Sequence, residues 1–368
     1  MKILQINTYN NTGGAARFCH RLKLLLDENN IKNWLLIKKT PAAEDNVIET
    51  NISFFEKVFN KITRTEGLVK NTFGEIKKLP FWNQIDLIHF HNLHGGYFNI
   101  FSLPKLSKAK KCIWTLHDPW IINDKEALVP EYKNIFKNEN ILFHKLKKIS
   151  INNSNIVLVT PSYWLKDKIT AEYPNKRIEV IHNGTDTKVF TPTDKTEARK
   201  TLNLPINKKI ILFVANGGKE NIEKGAYYLE IIKNLYKDIL FIELGGEKNY
   251  IKDEKELALY YSAADILLFP SLAENLPLSI LEAMSCGTPV VAFKIGGIPE
   301  IIDHKKNGYI AEYKNLEDIV KGIDFVLNHP NQINLGIEAR RKIVNTFDVT
   351  NMINKYMSLY KEITKKNI

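Results

Sequence analysis

Apolar residues in this chain fall in short unbroken runs separated by polar stretches, without the strict alternation of a sheet wetted on one face. Runs of that kind read as parallel strands buried on both faces. Met1 to Ile6 is the first. The polar loop Asn10-Asn11-Thr12-Gly13-Gly14 follows, then a helix through Leu26 and a strand from Ile31 to Ile37. This β-loop-α-β opening predicts an α/β sheet. Thr50 to Lys78 is charged, lacks strand pattern and is read as helical. Further strands are predicted over Asp86–His91, Lys111–Leu116, Asn155–Thr160 and Arg177–Ile181, with a helix from Ser162. After a polar stretch from Thr191 to Asn207 the alternation restarts. Lys209–Ala215 leads into a Gly-rich loop and a helix through Leu235, and strands Ile239–Leu244, Ala264–Phe269 and Thr288–Phe293 follow. The expected architecture is α/β: two Rossmann-like, doubly wound domains facing across a cleft, residues 1–190 and 191–346. An amphipathic helix from Thr350 to Lys365, within 347–368, is expected to pack back on the first.

Composition narrows the class. The chain has 368 residues, 44% of them hydrophobic and 25% charged, enough for two ordinary soluble domains. The net charge of +11 favours anionic partners such as nucleotide sugars or acidic lipid headgroups, although a lysine-rich solvated surface gives the same number. Cys19, Cys112 and Cys286 have no metal-ligand or CxxC spacing, so they are expected to be reduced thiols in a cytosol. The first residues start a strand directly, with no apolar leader, and no run reaches the length of a membrane span.

The most informative stretch is Phe269-Pro-Ser-Leu-Ala-Glu-Asn-Leu-Pro-Leu-Ser-Ile-Leu-Glu-Ala-Met-Ser-Cys-Gly-Thr-Pro-Val-Val-Ala292. Pro277 suits the first turn of a helix and Gly287 its end. Glu274 then lies in the loop where a strand has just ended, at the edge where doubly wound sheets bind ligands, and Glu282 lies on the helix's second turn. Backbone N–H groups at a helix N-terminus run between them and form a seat for phosphate. Two carboxylates flanking an anion seat match a nucleotide sugar. Glu274 would meet the sugar hydroxyls, Asn275, Leu276 and Leu278 the donor between, and Glu282 the ribose.

This E-x7-E element, with the C-G-T-P-V-V-A strand behind it, resembles the retaining family 4 glycosyltransferases, which have the GT-B fold. Lys224-Gly225 resembles that family's diphosphate lysine, which would neutralise charge on the departing nucleotide. Gly13-Gly14 resembles its N-terminal glycine loop. Trp114-Thr-Leu-His-Asp-Pro-Trp120 resembles the segment bearing its active-site histidine, which makes His117 a candidate to bond the donor sugar. Ser162-Tyr-Trp-Leu165 and Ile181-His-Asn-Gly-Thr-Asp186 resemble its interdomain junction, with Asn183-Gly184 a tight turn. The arginine usual on the diphosphate is missing: none lies between Arg199 and Arg340. Lys219 is the expected substitute, with Asn216 as a neutral alternative.

The resemblance implies a retaining transfer from a nucleoside-diphosphate sugar to a saccharide or lipid-linked acceptor, in cell-surface polysaccharide synthesis. It implies a cytoplasmic enzyme, at most peripheral on an anionic membrane, with no bound cofactor. His89, His91 and His94 form an HxHxxH cluster in which His89 and His91 share a strand face. No carboxylate completes a metal shell there, and no D-x-D is present, so no metal is expected and the cluster is read as a polar rim near the acceptor. Two rivals stand beside this reading: a sugar-nucleotide epimerase or phosphorylase on the same fold, and a non-catalytic binder of nucleotide sugars or polyanions. A nucleic-acid protein would need no E-x7-E element.

Overall fold

The computed structural model describes residues 1–10, 13–39, 45–50, 70–123, 141–215, 217, 221–246 and 249–365. The chain divides into two compact units. The first comprises most of the chain up to Ile181 together with Ile353–Ile368, and the second runs from His182 to Met352. The passage between them therefore falls after Ile181, ahead of the boundary at 190/191 expected from the polar stretch.

The first unit is a parallel sheet of seven strands: β1 (Lys2–Tyr9), β2 (Lys32–Lys39), β3 (Val47–Glu49), β4 (Leu87–Phe90), β5 (Lys111–Thr115), β6 (Ile156–Thr160) and β7 (Ile178–Val180). Their order is β3-β2-β1-β4-β5-β6-β7, so the winding reverses between β1 and β4, where Ile3 pairs with Leu87 and Ile6 with Phe90. Helix Gly14–Glu28 crosses from β1 to β2. Its Ala16, Phe18, Cys19, Leu22, Lys23 and Leu26 are buried at the three- and four-residue spacing that covers a sheet. Of the segment 50–78 expected to be helical, Thr72–Lys77 is a helix, capped by the Asn71 side chain, and 51–69 lie outside the described residues.

The second unit is a parallel sheet of five: β8 (Ile210–Val214), β9 (Leu240–Leu244), β10 (Ile266–Phe269), β11 (Val290–Phe293) and β12 (Gly308–Ala311), in the order β12-β11-β10-β8-β9. β10 and β11 are buried along their whole length, whereas β9, at the edge, is mostly half-buried. Each fully buried Leu, Ile or Val contributes about 1.5–3 kcal/mol of transfer free energy. The reversal here lies between β8 and β10, and a doubly wound sheet binds its ligand at such a reversal, beyond the carboxyl ends of the strands. The loops after β8 and β10 are therefore the ones to inspect.

The last helix, Val349–Thr364, starts in the second unit and ends in the first. In the first unit Tyr356 and Tyr360 are completely buried. Cys19, Cys112 and Cys286 are buried and unbridged, and burial raises each thiol's pKa, that of Cys286 to about 12.

Candidate active site

The second unit brings Lys224 and Glu274 together. After β8 the chain makes a short 3-10 turn, Ile222–Lys224, capped by the Asn221 side chain, and Gly225 then takes φ +84° to open helix Ala226–Leu235. A Cβ on Gly225 would stand 2.0 Å from the carbonyl oxygen of Pro270, in the loop after β10. Only glycine permits that φ with this approach. The glycine lets the two loops touch, and Lys224 Nζ thereby reaches Glu274 Oε1 at 2.5 Å. The pair is mostly buried: the lysine side chain is 24% exposed and the carboxylate 8%. Ser271 Oγ lies 2.9 Å from the same Glu274 oxygen and 3.1 Å from the Glu223 carbonyl, and can give its proton to either.

The loop carrying Glu274 is pinned along its length. Leu272 donates its N–H to the Glu223 carbonyl (2.8 Å), and the Gly297 N–H donates to Asn275 O (2.7 Å). Asn183 Nδ2 donates to Leu276 O (2.9 Å) and Tyr313 OH to Leu272 O (3.1 Å). Gly296, at φ +57°, lies so close that a Cβ there would meet Glu274 O at 2.1 Å. Helix Leu278–Ser285 follows with Pro277 at its N-cap and no side-chain cap, so its first N–H groups are not taken by a capping side chain. Glu274, Asn275, Leu276 and Leu278 are all buried. Glu282, on the second turn, is only 1% exposed and accepts a hydrogen bond from Tyr261 OH at 3.0 Å.

The first unit holds the remaining candidates. Gly13, at φ +88°, ends the described loop after β1 and precedes helix Gly14–Glu28. Among the described residues no atom lies within 4 Å of a Cβ placed on Gly13 or Gly14. His117 follows β5. His91 Nδ1 is 3.1 Å from His117 Nε2, with the rings stacked at 5.3 Å, and Phe18 packs edge-on against His117 at 4.8 Å. Burial lowers the pKa of His117 to about 4, with Asp118 opposing and His94 adding to the effect.

His89 and His91 are not a polar rim. Both are completely buried, their rings 4.1 Å apart. His89 bonds Tyr360 OH through Nδ1 (2.8 Å) and Thr115 Oγ1 through Nε2 (2.7 Å). Burial lowers the pKa of both rings well below the ordinary histidine value, His117 contributing to each and His89 also to His91. The final helix explains the difference from expectation, because Tyr356 and Tyr360 cover the strand face that would otherwise be wet. His94 instead reaches Asp118, at 3.4 Å. Among the described residues no cluster of three or more His, Cys, Asp or Glu could hold a metal ion.

Lys219 and Asn216 lie outside the described residues. Ser271, Tyr261, Gly296 and Asn183 were not foreseen as supports of the site. Gly296-Gly297 after an apolar strand was the visible signal for one of them, and the turn Asn183-Gly184 for another. A separate groove of about 530 Å³ on the second unit is lined by residues including Cys286, Thr288, Ile333, Ile337 and Arg340, and by none of the candidates above.

Residues 12–189 match the family description "Glycosyltransferase Family 4", and residues 233–345 match "Glycosyl transferases group 1". The chain is 23% identical to N-acetyl-alpha-D-glucosaminyl L-malate synthase of Bacillus anthracis over 60% of its own length and 63% of that protein's. The match thus spans just under two thirds of that relative. It is 25% identical to an uncharacterised 41.2 kDa protein of the cps region of Klebsiella pneumoniae, over 95% of this chain and 96% of that one. Its fold is also that of Anabaena Alr3699/HepE, solved in complex with UDP-glucose: TM-score 0.66, 16% identity, covering 98% of this chain and 100% of the other.

Proposed function

The chain belongs to glycosyltransferase family 4, and on that premise we propose that it moves a sugar from a nucleoside-diphosphate donor to a saccharide or lipid-linked acceptor. The observation that carries this reading is the buried Lys224–Glu274 pair, set between the strands where the second sheet reverses. With the donor bound, Lys224 leaves the carboxylate for the diphosphate and Glu274 accepts from the sugar hydroxyls. Asn275, Leu276 and Leu278 bring backbone N–H groups to the phosphates, and Glu282 serves the ribose. Lys219 adds a second cation on the diphosphate, with Asn216 as a neutral donor in its place. Gly13 and Gly14 let the backbone come close to the donor, and His117 bonds its sugar.

The reaction breaks the bond between the anomeric carbon and the diphosphate oxygen and forms one from that carbon to an acceptor oxygen. Neither Glu274, paired with Lys224, nor Glu282, paired with Tyr261, is placed as a covalent nucleophile. We propose front-face attack with retention at the anomeric carbon, as the family resemblance implies: the departing diphosphate oxygen takes the acceptor's proton and Lys224 neutralises the charge left on it. The setting we propose is cell-surface polysaccharide synthesis at the inner face of the membrane. The Klebsiella relative's cps region and the basic charge of +11 support it, and no described helix is long and apolar enough to cross a membrane.

A panel of nucleotide sugars tests the proposal. Release of nucleoside diphosphate from one of them, with an acceptor-linked product of the donor's own anomeric configuration by NMR, is the expected result. Binding without hydrolysis or transfer of any donor, with mono-, oligo- or lipid-linked saccharides, would leave a non-catalytic binder. Lys219→Ala should lower turnover strongly, as Lys224→Ala does, and Asn216→Ala should cost less.

A further inference from the structure

Two donors share one oxygen of Glu274. Lys224 Nζ lies 2.5 Å and Ser271 Oγ 2.9 Å from Oε1. Ser271 has a single proton and three acceptors in reach: Glu274 Oε1, the Glu223 carbonyl at 3.1 Å and the Ala273 carbonyl at 3.4 Å. The carboxylate is the nearest of them and the only charged one. The Glu223 carbonyl already takes the Leu272 N–H at 2.8 Å, so the serine's proton goes to Glu274. Oε2 is placed differently. No donor reaches it among the described residues, and it is not sealed from solvent. The two donors also differ from each other. Lys224 ends a flexible four-carbon stem and keeps 24% of its side chain exposed, so it can turn to another anion. Ser271 is buried, in the loop that Leu272 fixes to the turn Ile222–Lys224, and its short side chain has nowhere else to go. A diphosphate can draw the lysine away and leave the serine where it stands.

We propose that Ser271 is a positioning residue that holds Glu274 in place once Lys224 has turned to the diphosphate, with Oε1 anchored and Oε2 presented to the sugar hydroxyls. This rests on the roles of Lys224 and Glu274 given above. A carboxylate that has just lost its cation faces the negative charge of the phosphates, which pushes it away. Among the described side chains only the Ser271 hydroxyl then still bonds it. The hydroxyl costs nothing to reorganise at that moment, because it is already in position before the donor arrives. Every residue in this arrangement belongs to the second unit, on the loops after β8 and β10.

Lys224→Ala imitates the departure of the lysine. In a crystal structure of that full-length variant Glu274 is expected to keep Oε1 on Ser271 and Oε2 outward, and in Lys224→Ala/Ser271→Ala the carboxylate should leave that position. A Glu274 that swings away in the single variant overturns the proposal, and so does one that stays in place in the double variant. In turnover, Ser271→Ala on its own is expected to lower kcat about tenfold to a hundredfold, the scale of a misplaced group in a reacting centre, while calorimetry shows nucleoside diphosphate binding unchanged. Repeating the substitution in a Glu274→Ala background separates positioning from general support of the fold. There Ser271→Ala should cost little more, because the group it positions is gone; loss by the same factor in both backgrounds overturns the proposal. Absence of transfer with every donor would instead remove the assigned reaction, and the two crystal structures would still decide what holds Glu274.

Discussion

Lys224 Nζ and Glu274 Oε1 meet at 2.5 Å although 50 residues separate them in sequence. Each neutralises the other, so a diphosphate must compete with Glu274 for the lysine. Glu274→Gln removes that competitor and the sugar's acceptor together. Transfer is expected to fall by about 10²- to 10³-fold, the scale of losing one aligned polar group in a reacting centre, while nucleoside diphosphate binds as well as before or more tightly. Turnover at the wild-type rate, or loss of diphosphate binding by calorimetry, would sink the assignment.

Glu282 and Tyr261 share a buried hydrogen bond of 3.0 Å. Glu282→Ala should therefore act twice. Nucleotide affinity falls because the ribose loses an acceptor, and the fold weakens by about 1 kcal/mol because the buried Tyr261–Glu282 hydrogen bond is lost. Tyr261→Phe separates the effects: it should cost about 1 kcal/mol in denaturant unfolding and little in nucleotide affinity. Equal nucleotide affinity in wild type and Glu282→Ala would place the ribose elsewhere.

Gly225→Ala puts a methyl group 2.0 Å from the Pro270 carbonyl at φ +84°. The two loops must separate, and Lys224 moves away from Glu274. A stability loss of at least about 2 kcal/mol is expected, with most of the turnover gone. An unchanged unfolding midpoint would show that the loops give way easily and are not held as described.

The fold should weaken in mild acid. Burial lowers the pKa of His89, His91 and His117, the last to about 4, from an ordinary value of 6.5. Between those values the unfolded chain binds more protons than the folded one. Stability is therefore complete above pH 6.5 and declines as the pH drops toward 4, by up to about 1.4 kcal/mol per pH unit for each histidine that stays neutral. Urea midpoints measured from about pH 7.5 down to about pH 5 should follow that slope, and His117→Asn should flatten it by the share of one histidine. A midpoint independent of pH over this range would contradict the burial of all three rings.

With a net charge of +11, the protein should float with anionic liposomes at low ionic strength and be released as salt shortens the Debye length to about 10 Å near 0.1 M. Equal recovery with neutral vesicles, or none with either, would remove the peripheral association.

The strands and the E-x7-E loop were legible because both are local. An apolar run marks a buried strand wherever it lies, and Glu274, Glu282, Pro277 and Gly287 declare a loop-helix-stop within a few residues. Lys224 was legible as a Lys-Gly pair, but its partner was not, since the contact depends on Gly225 closing against Pro270. Period-two reasoning put His89 and His91 on one face, yet which face is dry is decided by Tyr356 and Tyr360, far along the chain. β3 and β12, at Val47–Glu49 and Gly308–Ala311, escaped notice. The split after Ile181 was hidden because the polar stretch from Thr191 lies inside the second unit.

The return of Ile353–Ile368 to the first unit sets an order of events during synthesis. Domains ordinarily fold in the order in which they leave the ribosome. Here the second unit, with Lys224, Glu274 and its whole sheet, can be finished while the first still waits. Until Tyr356 and Tyr360 have been translated, His89 and Thr115 lack the hydroxyls that cover them. A nascent chain stopped short of residue 356 would thus carry a completed second half behind an open first half, and a truncated message yields a protein whose defect sits near its beginning.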